Sequence, residues 1–135
     1  MKVRDLEGNL SSFKLNGSII TAADNRARSK LHIQAREILY ELFPTMQILE
    51  EVPIKTRPNQ NQFLDFYINK IKLAVEVHGQ QHYKFNSLFH ASAQDFLKQK
   101  KMDQDKKEWC ELNNITYIEL PFNEVKEWKK TIIQR

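Results

Sequence analysis

Apolar residues recur along this chain with two periods. In SKLHIQAREILYELF, Leu31, Ala35, Ile38, Leu39 and Leu42 fall three or four apart, the buried stripe of a helix over about 30–43. Ser29 supplies an N-cap and Pro44 a stop. The period then shortens to two. MQILEEV (46–52), FLDFYI (63–68), KLAVEVH (72–78) and ITYIEL (115–120) read as strands. A polar loop, IKTRPNQNQ, follows the first of them, and a tight hairpin turn at Asn69-Lys70 joins the second to the third. Helical spacing returns over roughly 91–113 and in an amphipathic tail from Asn123 to Arg135. Residues 1–28 read as an irregular polar arm with a short hairpin around 12–20. The order predicts an α/β fold, a small central mixed sheet flanked by helices, with one domain over 29–135 behind the arm.

The strand alternation carries chemistry. Leu73, Val75 and Val77 share one face of their strand; Glu76 and His78 share the other. A two-residue turn pairs residue 68 with 71, which puts Asp65 on the face of Ala74, Glu76 and His78. Two carboxylates therefore meet beside an imidazole on a sheet. Glu76 interrupts LAVEV, a run that otherwise reads as buried. Like charges so placed raise each other's pKa, and burial penalises both. A divalent cation resolves that conflict, and hard carboxylate oxygens suit Mg2+ or Mn2+. Each acid alone is more often an ordinary surface residue; the shared face with His78 and nearby His82 reverses that weighting.

Composition narrows the partners. Among 135 residues, 21 Lys+Arg oppose 17 Asp+Glu, a net charge of +4 that suits a polyanion such as DNA. The single cysteine, Cys110, excludes an internal disulfide and a cysteine-rich zinc site. It makes an intracellular, cytoplasmic setting the expectation. No apolar run is long enough for a membrane span, and MKVRDLEGNL does not read as a signal peptide.

Asp65, followed about ten residues later by Glu76-Val77-His78, resembles the PD-(D/E)XK nuclease superfamily motif, with His78 where the usual lysine stands. VEVHGQQHY resembles the E-x-[DH]-G-x-x-H-Y segment of small nucleases related to the very-short-patch repair endonuclease and the EDxHD homing endonucleases. DQDKKEWCELNNITYIEL (103–120) resembles their next helix and strand. The likeness spans roughly residues 29 to 124. It implies a restriction-endonuclease-like αβββαβ core, with Asp65, Glu76 and the Val77 carbonyl as metal ligands. His78 and His82 would activate water, contact the scissile phosphate or protonate the leaving oxygen. Lys106 would partly replace the charge of the missing lysine, and Asp103 would stand beside the metal. His32, rather than the solvent-facing Glu37, is the expected participant from the first helix. The repair enzyme's zinc-binding cysteines are absent, so its mismatch specificity is not carried over.

The expected function is a Mg2+-dependent endodeoxyribonuclease of phage or mobile-element type: homing, nicking or structure-selective. A homodimer would serve for cutting both strands. Two alternatives stay open at this level, a non-catalytic nucleic-acid-binding module on the same fold and an RNA-directed nuclease. Arg26, Arg28, Lys30, Lys55, Arg57, Tyr83, Lys84, Phe85, Lys98, Lys100 and Lys101 suit a surface that contacts a nucleic-acid backbone.

Overall fold

The computed structural model describes residues 1–19, 29–85 and 90–135. Its elements, in order, are β1 (Lys2–Arg4), β2 (Leu10–Ser12), β3 (Ser18–Ile19), α1 (Lys30–Leu42), β4 (Leu49–Arg57), β5 (Gln60–Ile68), β6 (Leu73–His78), α2 (Ala93–Leu112), β7 (Thr116–Pro121) and α3 (Trp128–Ile133). The fold is α/β. Five strands form one mixed sheet in the order β3-β4-β5-β6-β7, antiparallel except for the parallel pair β6 and β7. A parallel pair needs a long crossover, and α2 supplies it.

The two faces of the sheet bury separate apolar clusters. On one, Ala35 and Leu39 of α1 and Trp128 and Ile132 of α3 pack on Phe66, Ile68, Leu73, Val75, Ile118 and Leu120. On the other, Trp109 and Cys110 of α2 pack with Val3, Phe13, Leu64, Tyr67 and Ala74. Helix α1 begins as its sequence dictates, with Ser29 Oγ accepting the His32 N–H at 3.1 Å.

Three expectations need correction. The polar stretch after Val52 is not a loop: β4 and β5 run on as a long hairpin, turning only at Pro58-Asn59. Ile54, Thr56 and Gln62 are buried along it, and Asp105 of α2 clamps its tip through Arg57 (3.0 Å) and Gln60 (3.1 Å). The polar residues there bond one another inward, which hydropathy alone reads as loop. The turn between β5 and β6 spans Asn69 to Lys72, so Ile68 pairs with Leu73. The added length is a 3-10 turn closed by Lys72 in the left-handed region, φ 47°. Nor do residues 1–19 stand off as an arm. Val3 and Phe13 are buried against α2, and a Cβ at Gly17 would lie 2.9 Å from the Glu50 carbonyl oxygen of β4. Arg26 and Arg28 lie outside the described residues.

Asp105 is the principal polar tie between α2 and the hairpin, and Arg57 holds its carboxyl below the usual range. Asp105→Ala should lower the unfolding free energy by about 2 kcal/mol, since the buried carboxylate's hydrogen bonds to Arg57 and Gln60 are lost. Leu97→Ala, at an exposed site on the same helix, should change it by about 0.5 kcal/mol or less. Urea unfolding of both variants checks the contrast.

Candidate active site

The antiparallel ladder between β5 and β6 ends at Phe66 and Val75. One step further, Asp65 and Glu76 face each other, and side chains take over the hydrogen bonding. The Asp65 N–H donates to Glu76 Oε2 at 2.6 Å, and the Val77 N–H donates to Asp65 Oδ2 at 2.9 Å. From α2, Lys106 Nζ donates to Glu76 Oε1 at 2.5 Å. Asp65 Oδ1 has no partner among the described residues. The expected convergence of the two acids is present, although the register differs by two residues. A shift of two preserves which face each side chain occupies.

These groups line a cleft of about 590 Å³, walled by Val77, His78 and Gly79 at the end of β6, by His82, by Lys106 and by His32 at the start of α1. Glu76 is 1% exposed. Burial, then repulsion from Asp65, pushes its pKa up to about 7, against the opposing pull of Lys106. Burial opposes the Lys106 charge in turn, yet Glu76 and Asp65 hold that ammonium above its ordinary value.

Each histidine of the cleft is backed by a carboxylate. His78 Nδ1 donates to Glu119 Oε1 at 2.9 Å, and His82 Nδ1 donates to Asp103 Oδ2 at 2.8 Å. His32 Nε2 donates to Glu50, which also accepts from Arg36 at 2.9 and 3.1 Å. The His78 hydrogen bond, assisted by the Tyr83 hydroxyl at 2.6 Å, holds Glu119 down at about 2. Burial alone would raise Glu50, but Arg36 and His32 keep it below the usual carboxylate range. The rings of His78 and His82 stack, 4.1 Å between centroids and 7° apart in plane.

His78, His82 and Asp103 bring three ligand atoms within 4.8 Å. A single ion would have to lie in both ring planes at once to accept both imidazole lone pairs, and near-parallel stacked rings have no such point. As arranged, these histidines are two imidazoles, each oriented by its own carboxylate. Asp65 and Glu76 are the better-suited grip for a hard cation: their donors are all oxygen, and a cation would relieve the repulsion that raises Glu76.

Of the residues singled out from sequence, Asp65, Glu76, Val77, His78, His82, His32 and Lys106 line this one cleft, and Asp103 touches it through His82. Glu37 is exposed on α1. Arg57 is not a free surface cation, being held by Asp105. Sequence reasoning missed Glu119, Glu50 and Gln99. Alternation in ITYIEL does set Glu119 against Ile118 and Leu120, but only the parallel pairing of Glu76 with Glu119 brings it to His78. Gln99 links His82 to His90, accepting from His90 Nε2 at 2.7 Å.

No family model matches this chain, and no solved structure does either. It is similar to viral proteins. Uncharacterized protein 307L of Invertebrate iridescent virus 6 is 44% identical over 64 residues, 47% of this chain and 32% of that protein. Uncharacterized protein 094L of Frog virus 3 (isolate Goorha) is 40% identical over 60 residues, 44% of this chain and 39% of that protein. Uncharacterized protein 033L of Invertebrate iridescent virus 3 is 36% identical over 62 residues, 46% of this chain and 32% of that protein. The matched segment thus spans about a third of the length of these relatives.

The raised pKa of Glu76 has a defined sign. Its folded value, about 7, lies above the ordinary 4.5, so the folded state binds the extra proton between those values. In chelator, stability should fall as pH rises from about 4.5 to about 7 and stay low above that. Glu76→Gln should remove this slope. Thermal unfolding midpoints against pH, measured in EDTA for both proteins, check it.

Proposed function

We propose that this chain is a metal-dependent DNA endonuclease of the PD-(D/E)XK type, on a restriction-endonuclease-like core. One observation carries the reading: two carboxylates meet where a strand pair parts, in a cleft that also presents three carboxylate-backed imidazoles. A binding module gains nothing from carboxylates aimed at phosphates.

The residues fit a divalent cation. Asp65 and Glu76, with the Val77 carbonyl as the third protein ligand, would hold Mg2+ or Mn2+. When bound, that ion polarises the scissile phosphate and lowers the pKa of water.

The chain's own groups supply the rest. With Nδ1–H given to Asp103, His82 keeps Nε2 as the atom that takes or gives a proton. Glu119 fixes the same tautomer in His78. Carboxylate backing also stabilises each imidazolium once it forms, as a general acid–base pair requires. Lys106 holds positive charge against Glu76 and occupies the electrostatic role of the superfamily lysine. His32, anchored on Glu50 through Nε2, presents its ring to the cleft from α1. The substrate is DNA by the net charge of +4 and by the superfamily likeness. A dimer would place one centre on each strand. Among the described residues no helix is long and apolar enough to cross a membrane.

Plasmid, linear and branched DNA and RNA should be incubated with the protein in Mg2+, Mn2+ or EDTA. DNA cleavage with either metal, none in EDTA, and loss in Asp65→Ala and Glu76→Ala are expected. His82→Ala should slow the reaction by about 10²- to 10⁴-fold. Intact DNA under every condition, or cleavage surviving both acid substitutions, refutes the assignment; cleavage confined to RNA transfers it to the other substrate.

A further inference from the structure

Among the described residues, Lys106 is the cation that pairs with Glu76. Its ammonium donates to Glu76 Oε1 at 2.5 Å, from a side chain that is 13% exposed. The other oxygen, Oε2, accepts the Asp65 N–H at 2.6 Å. Both oxygens of Glu76 are thus engaged by the chain itself. The two holds differ in kind. The Asp65 N–H is part of the β5 backbone and stays where the strand puts it. Lys106 ends a flexible four-carbon stem and borders the cleft, so rotation about its own bonds can carry it away. Oε1 is the oxygen that can be freed.

A divalent cation needs that oxygen. Mg2+ takes carboxylate oxygens at about 2.1 Å. Bound to Oε1, it would stand within about 4.6 Å of an ammonium that is itself 2.5 Å from the same atom. Beside a carboxylate that is 1% exposed, a double and a single positive charge repel strongly at that range. The attraction is reduced as well. Two carboxylates would draw the metal with two negative charges, and the ammonium already offsets one of them.

The displaced lysine has a place to go. Asp103 lies one turn back on α2, and its charge already acts on Lys106. The cleft that Lys106 borders is also where the phosphate of a substrate would enter.

We propose that Lys106 is an exchangeable counterion: it holds Glu76 until a divalent cation displaces it, and so weakens the affinity of the chain for metal. The inference rests on the metal reading of Asp65 and Glu76. Once displaced, the ammonium turns into the cleft toward the phosphodiester, so one lysine serves first the acid and then the substrate. An anion in the cleft draws Lys106 off Glu76, and metal binds more tightly with substrate than without it.

Calorimetric titration of the full chain with Mg2+, in the absence of DNA, tests this. Lys106→Met should bind Mg2+ at least about tenfold more tightly than the wild type, and Lys106→Arg about as weakly as the wild type. A lysine that only positions Glu76 gives the opposite sign, because its loss lets the carboxylate turn away. In the wild-type chain, the ε-methylene NMR signals of Lys106, assigned with Lys106→Arg, should shift during the titration and saturate with the calorimetric affinity. That reading stands even if Lys106→Met fails to fold. Equal or weaker binding in a folded Lys106→Met would overturn the exchange. So would ε-methylene signals unmoved at saturating Mg2+, or no Mg2+ binding by either protein. Plasmid cleavage separates the two levels. Cleavage by a wild type whose Lys106 does not respond defeats the exchange and leaves the nuclease reading standing. A responsive Lys106 without cleavage of any nucleic acid does the reverse.

Discussion

Two crossed hydrogen bonds, from the Asp65 N–H to Glu76 and from the Val77 N–H to Asp65, are the constraint on which the site depends. Each acid accepts a backbone N–H at the point where the β5–β6 ladder stops. Without them, the parting strands would leave partly buried donors unpaired, a loss of about 1 kcal/mol for each. The carboxylates therefore close the sheet and open the cleft together. Glu76 can sit there only because Lys106 reaches it, and Lys106 is aimed by the packing of Trp109 and Cys110 one turn further along α2. The geometry of the site is thus inherited from the core on the α2 face.

A second consequence concerns the imidazoles. An unsupported histidine turns freely and exchanges tautomers. Here Glu119, Asp103 and Glu50 each fix one ring from behind. They come from β7, α2 and β4, so three separate elements must dock before the cleft is complete. The stacking of His78 on His82 couples the positions of two of these rings.

Much of this was legible in the sequence, and the reason is periodicity. Helix α1, the strand alternation and the shared face of Asp65, Glu76 and His78 follow from local spacing. The face assignment even survived a misjudged turn, because Ile68 pairs two residues beyond the expected partner and strand parity is unchanged. What escaped was non-local or polar. The distal β4–β5 hairpin is stabilised by Asp105, 48 residues from Arg57 in sequence, so its polar strands resemble a loop until α2 is in place. Glu119 and Glu50 could not be assigned without strand order. Strand alternation puts Leu64, Phe66 and Ile68 on one face, yet Leu64 packs with Trp109 while Phe66 and Ile68 pack beneath α1 and α3. The break falls at Asp65, opposite Glu51, whose φ of 56° interrupts β4 between the Glu50–Phe66 and Val52–Leu64 pairs.

The charge balance of the cleft bears on its chemistry. The chain as a whole carries +4, yet the cleft and the residues that bond to it hold five carboxylates, Glu50, Asp65, Glu76, Asp103 and Glu119, against the permanent charges of Lys106 and Arg36. A basic surface attracts a phosphodiester, but a centre of that sign repels it at contact range. On the proposed reading, a divalent cation between Asp65 and Glu76 would reverse the local sign where a phosphate would sit. Metal and substrate would then be linked: the cation would relieve Glu76, and the phosphate would complete the neutralisation of the cation. Each should tighten the binding of the other by the same factor, since such coupling is reciprocal.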